Sequence, residues 1–194
     1  ATVDAYDGSV ELYAWDANDP VLKAWEKIFP GQYHPISEIS GDLMSHLRYP
    51  ENLFKVQREL LAKYHVSSAG QFFSGEDFWQ TPVDPTESAT AQQQGVPQPP
   101  YYLSLQTGGS KKPVFSLTSS YIPAGTSTRE ILTGFLSVDS DAGNEKGVIG
   151  PNYGTIRLQE LPKDSNVPGP GQAQNNFNAN ADVSKELNLL ESGD

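Results

Sequence analysis

The sequence predicts an α+β fold: an antiparallel β-sheet with several helices packed on it, rich in loops. Three observations predict it. Asp7-Gly8 sits between two β-prone runs, a strong hairpin signal. Residues 37–66 carry apolar side chains at helical spacing. Between residues 101 and 161, four strand-like runs are joined largely by short Gly-rich connections, which favour antiparallel pairing over crossover units.

The elements follow in order. Thr2 to Trp15 forms the hairpin, with Val10, Leu12 and Ala14 alternating against Glu11, Tyr13 and Trp15. Asn18-Asp19-Pro20 stops it. Asp19 can cap a helix whose first residue is Pro20, where a missing N–H costs little. That helix runs from Val21 to Phe29, with Leu22, Trp25, Ile28 and Phe29 on one side. Ser40-Gly41-Asp42 opens a short helix through Leu43 and Leu47, and Tyr49-Pro50 breaks it. A longer helix starts at Pro50. Leu53, Gln57, Leu60, Leu61 and Tyr64 follow its spacing beside Phe54, and Lys55, Arg58, Glu59 and Lys63 take the wet side. Ser74 with Asp77 resembles a capping box, and Phe73 with Phe78 a staple, for a short helix Gly75 to Gln80.

Strands are predicted at Tyr101 to Gln106, Val114 to Thr118, Ile131 to Val138 and Thr155 to Leu161. Gly108-Gly109 and Ser120 to Thr128 supply turns, and Asp182 to Leu190 reads as a terminal helix. Two Pro-, Gly- and Gln-rich stretches, about 81–100 and 162–176, read as flexible loops inside a single domain spanning 1–194. A linker between two domains is the rival reading of the first, though neither flank looks self-sufficient.

Composition narrows the function. The net charge is -11, from 13 Lys+Arg against 24 Asp+Glu. Such a surface repels phosphate backbones, so no nucleic-acid partner is expected. Cysteine is absent, which removes disulfides, thiolate metal sites and a Cys nucleophile together. No apolar run approaches the ~20 residues needed to cross a bilayer. The chain opens without Met on what reads as mid-strand, so a piece of something longer is expected. There is no G-x-S-x-G, S-x-x-K or H-E-x-x-H motif, and no phosphate loop.

The most chemical-looking segment is Asp139-Ser140-Asp141-Ala142-Gly143-Asn144-Glu145. Asp139, Asp141 and Glu145 are candidate calcium ligands, because closely spaced acids in a turn can converge on one cation. The EF-hand match is poor: the twelfth position falls on Gly150. The plainer reading is a polar turn whose Asp side chains bond nearby N–H groups. His46 and Arg48 at the helix break could be a base and an anion clamp, but a structural role is the simpler reading. His34 and His65 are lone histidines at element ends, and a cation near the end of a helix is favoured at His65. Trp15, Trp25 and Trp79 could form a sugar-stacking face, though Trp25 and Trp79 follow amphipathic patterns and read as core.

Several runs carry a resemblance. They are Val3-Asp4-Ala5-Tyr6-Asp7-Gly8, Asp19-Pro20-Val21, His46-Leu47-Arg48-Tyr49-Pro50-Glu51, Asp77-Phe78-Trp79, Pro99-Pro100-Tyr101-Tyr102, Ser140-Asp141-Ala142-Gly143-Asn144 and Gly169-Pro170-Gly171-Gln172. In this order they resemble an uncharacterised family, of the UPF type, of bacterial multi-pass membrane proteins. The resemblance implies transmembrane helices followed by a large extracytoplasmic region, of which this chain would be a fragment. It also implies that Asp194 is a boundary inside a longer chain. It implies no activity and no catalytic residues.

The expected function is therefore an extracytoplasmic binding or interaction module on a cell-membrane parent, without a required cofactor. Its expected partners are its own transmembrane region, other copies of itself, or an envelope ligand. Two alternatives stand beside it. One is an envelope-polymer hydrolase using paired carboxylates, which a deep cleft holding two facing acids would favour. The other is a calcium-stabilised module on Asp139, Asp141 and Glu145.

Overall fold

The computed structural model describes residues 1–106, 111–125, 130–164 and 166–191. The predicted Gly108-Gly109 turn, the 126–128 part of the next predicted turn, and Asp194 lie outside the described residues. The chain packs as two units. The first comprises Ala1–Tyr49 and Ser140–Tyr153; the second holds the remaining described residues.

In the first unit, β1 (Thr2–Val3) pairs antiparallel with β2 (Val10–Ala14), Val3 opposite Val10. The hairpin loop is wider than an Asp-Gly turn of two residues. Asp4 N–H donates to Ser9 O at 2.9 Å, and the Asp4 and Asp7 carboxylates accept from the N–H groups of Tyr6 and Ser9. These side-chain turns compete with ladder bonds and shorten the strands. Helix α1 (Pro20–Ile28) starts as predicted: Asp19 accepts from Val21 N–H at 2.7 Å, and Pro20 leads the helix. β3 (Tyr33–Pro35) then pairs parallel to β2, Tyr13 opposite His34. This pairing was not expected. It is possible because α1 serves as the crossover that returns the chain in the same direction. A 3-10 turn, Ile36–Glu38, leads to α2 (Gly41–His46), whose Leu43 N–H donates to the Ser40 hydroxyl at 3.1 Å. Ile39, Met44 and Ala142 form the buried centre, surrounded by Trp15, Leu47, Ile149 and Tyr153 among others.

In the second unit, α3 (Glu51–Tyr64) begins after Pro50, as predicted. Its buried face differs from the prediction. Phe54, Arg58 and Ala62 are buried, while Leu53, Leu60 and Tyr64 are exposed. The face is chosen by what α3 packs on, namely β4 and β6. Helix α4 (Ala69–Ser74) replaces the helix predicted at 75–80. Gly75 adopts φ +71°, a left-handed conformation that ends α4, so Ser74 closes a helix instead of opening one. The next residues extend into β4 (Trp79–Gln80).

The 81–100 segment carries structure of its own. It holds α5 (Ala89–Gln93) and a Val83–Pro97 bridge, and Asp84 is buried at its base with Thr86 donating to its carboxylate. β5 (Tyr101–Leu105), β6 (Val114–Pro123), β7 (Gly134–Asp139) and β8 (Ile156–Glu160) follow near the predicted positions. All pairings in this sheet are antiparallel, in the order β4-β6-β7-β8, with β5 also on β6. β6 runs five residues beyond the prediction because Ser119 to Pro123 continues the ladder to β7 and β4. The second loop ends sooner than predicted, since Pro170 starts α6 (Pro170–Ala179). α7 (Ala181–Glu191) covers the predicted terminal helix.

Leu117, Tyr121, Leu136 and Val138 on the sheet and Phe54 on α3 are fully buried. Burial, with the Glu59 charge adding, pushes the Tyr121 phenol well above the ordinary tyrosine range, so it stays a donor. It donates to Arg58 O at 2.7 Å. Tyr121→Phe is expected to cost about 1 kcal/mol, because that carbonyl keeps its helical partner. Denaturant unfolding checks this.

Candidate functional site

The second unit holds a cleft of about 430 Å³, within the size range of small-molecule sites. It lies where the end of α3, the 76–79 segment, the 131–133 segment and the end of β8 converge. One wall is rigid. The His65 ring stacks on Trp79 with centroids 3.5 Å apart and planes 20° apart. His65 Nδ1 lies 2.9 Å from Leu61 O and Nε2 lies 3.1 Å from Asp77 O. Both nitrogens face backbone carbonyls, so the ring is held in place as part of the wall. On the other side of Trp79 lies Gly134. A Cβ there would come within 2.6 Å of Trp79 Cζ3, so only glycine fits.

The rim is polar. Lys163 donates to Asp77 at 2.7 Å, and that bond, with the Glu160 charge adding, holds the ammonium above its ordinary range. Glu76, Glu160, Ser67, Gln71 and Thr133 add to the polar lining, beside apolar residues including Val66, Pro123 and Ile131. Acceptors outnumber donors here. The arrangement can bind a ligand rich in O–H or N–H groups.

The residues predicted from sequence fall elsewhere. Asp139 belongs to the second unit, only 2% exposed, and its two oxygens accept from both terminal nitrogens of Arg157, one at 3.0 Å. That bond raises the Arg157 pKa further. Asp141 and Glu145 belong to the first unit and are exposed. Asp141 accepts from Gly143 N–H at 3.0 Å and lies 3.9 Å from Arg48. No group of three or more His, Cys, Asp or Glu able to hold a metal ion occurs among the described residues.

Arg48 donates to Ser45 O and Leu47 O, bracing the break after α2, while His46 is exposed. Buried Tyr49 donates its N–H to the Ser140 hydroxyl at 2.9 Å. His34 pairs with Glu38 at 3.0 Å. Trp79 is core, as predicted, whereas Trp25 is 47% exposed and is not. Lys163 and Glu160 were missed because nothing local marks them. His65 was visible only as a histidine at a helix end, where it indeed meets a last-turn carbonyl.

A family model described as an uncharacterised protein family, UPF0182, matches residues 1–190. The chain belongs to the UPF0182 family. It is 87% identical over 193 residues to a UPF0182 protein of Bifidobacterium adolescentis, covering 100% of this chain and 18% of that protein. A UPF0182 protein of Bifidobacterium longum is 84% identical over 194 residues, again 100% of this chain and 18% of the relative. One of Paenarthrobacter aurescens is 60% identical over 195 residues, covering 100% and 19%. The chain thus spans about a fifth of the length of these UPF0182 relatives. No solved structure matches it. The uncharacterised family that the residue runs resemble is the chain's own.

Proposed function

We propose that these residues form an extracytoplasmic binding domain of a larger bacterial membrane protein, with the cleft beside His65 and Trp79 as its ligand seat. The cleft carries this reading: it is pre-formed, walled by the stacked His65 and Trp79 rings, and lined by the carboxylates of Glu76, Asp77 and Glu160. A rigid seat avoids the ordering cost of binding. The membrane parent is supported by the family resemblance and by the small share of the relatives that the chain covers. No helix among the described residues is long and apolar enough to cross a membrane, so on this reading the spanning segments belong to the rest of the protein.

The ligand class follows from charge and lining. A donor-rich small molecule such as an amino sugar suits Glu76, Asp77 and Glu160, while an acidic sugar is repelled. Titration with glucosamine, followed by NMR shifts of the His65 and Trp79 side chains, is expected to saturate. Glu76→Gln is expected to weaken it several-fold, and glucuronate to give no shift. No shift at either ring with glucosamine ends the proposal. The same carboxylates support a second reading, envelope-polymer hydrolysis by paired acids. Sugar release from cell-wall polymer by the protein, lost in Glu160→Gln, would establish that instead.

A further inference from the structure

In the second unit, α6 turns an amide face toward a groove. Gly171, Gln174, Asn175 and Asn178 lie at helical spacings of three and four residues, so they share one side of the helix. Val83, Pro85 and Gln92 line the same groove, which holds about 450 Å³. A helix ordinarily turns apolar side chains toward its neighbours and closes such a gap. Here amides line it. Their orientation is set from within. Gln92 Nε2 donates to Pro85 O at 3.2 Å and to Glu87 O at 2.7 Å. Gln174 Nε2 donates to Asn178 Oδ1 at 3.1 Å. The two glutamine oxygens are left as acceptors and the Asn178 nitrogen as a donor. Glu130 adds a carboxylate at the start of α6. Gly169 N–H donates to Glu130 O at 2.7 Å, and a Cβ at Gly171 would run into the carboxylate itself.

We propose that this groove is a second binding site, for an uncharged sugar. It shares no residue with the cleft beside His65, so it stands independently of the ligand proposed there. Sugar hydroxyls both donate and accept, and the lining offers both. Glu130 is the only charged side chain lining the groove among the described residues. An anion finds no counter-charge there, and a cation meets one carboxylate where the cleft gives three. Val83 and Pro85 present a small apolar wall for the C–H face of a sugar, too little for an apolar ligand. Amides already held in place need little reordering on binding.

The test is photolabelling of the full-length protein with a diazirine-bearing cellobiose, mapped by mass spectrometry. Label is expected on residues 83–92 and 170–179 and is expected to fall at least ten-fold with excess free cellobiose. Gln174→Leu with Asn178→Leu is expected to abolish it. Asn175→Ala, at an exposed position where folding is undisturbed, is expected to reduce it several-fold. Cellohexaose suppressing the label better than cellobiose assigns the seat to a glycan chain, and the reverse assigns it to a free sugar; either result upholds the site. Label confined to the cleft, label that excess cellobiose leaves in place, or equal suppression by glucosamine overturns the proposal. If glucosamine fails to bind the cleft while the groove labels as expected, only the cleft reading falls.

Discussion

Arg157→Ala is expected to lower folding stability by about 3–5 kcal/mol. The substitution leaves the Asp139 carboxylate almost wholly out of water, without the two guanidinium donors that now satisfy it. Breaking one side of a buried pair costs more than the pair contributes, because the desolvation penalty stays behind. Replacing both partners together, Asp139→Leu with Arg157→Met, is expected to recover most of the loss. Denaturant unfolding, repeated in EDTA and in millimolar calcium, reads the effect and the metal question at once. The Arg157→Ala loss is expected to be equal in both buffers, and the unsubstituted protein's Tm is expected not to move. Calcium that raises Tm, or restores Arg157→Ala, would support the metal reading of Asp139, Asp141 and Glu145, since only a bound ion stabilises by mass action.

Phe54→Ala is expected to cost a comparable amount, about 3–5 kcal/mol. Phe54 is fully buried on the face of α3 that packs against β4 and β6. Its loss removes transfer energy and leaves a cavity between α3 and the sheet that the surrounding structure only partly fills. Leu53→Ala, one position away and 46% exposed, is expected to cost well under 1 kcal/mol. The contrast tests which face of the helix is inside. Urea midpoints of the two variants provide it, and equal losses would contradict the observed packing.

That pair shows where sequence reasoning stopped. The helical spacing around Leu53, Leu60 and Tyr64 placed α3 correctly along the chain but put the wrong side inward. Arg58, a residue one expects in water, is buried. Its guanidinium donates to Gln98 O, and desolvation lowers its pKa. Its own carbonyl accepts from Tyr121, 63 positions away. Nothing within a few residues of Arg58 announces either partner. The 75–80 segment failed for a related reason. Ser74 and Asp77 have the spacing of a helix start, but Gly75 in its left-handed conformation had already closed α4.

The cleft was the least visible feature. His65, the Asp77–Trp79 segment and Lys163 come from three places in the chain, and their contacts depend on where β8 ends relative to α3. The acidic run at 139–145 looked more chemical, yet Asp139 is drawn to Arg157 across the β7–β8 pairing and its neighbours belong to another unit.

Taken alone, the sequence determined the caps and breaks: Asp19-Pro20 before α1, Ser40 before α2, Pro50 before α3, and the antiparallel ladder of β5 to β8. These are set by bonds and steric limits that act within four or five residues, or by a simple alternation of side chains. Tertiary structure alone decided the parallel β2–β3 pair, the inward face of α3, the Asp139–Arg157 pair and the cleft. Each depends on partners tens of residues apart, whose gain is realised only when burial excludes water from both at once.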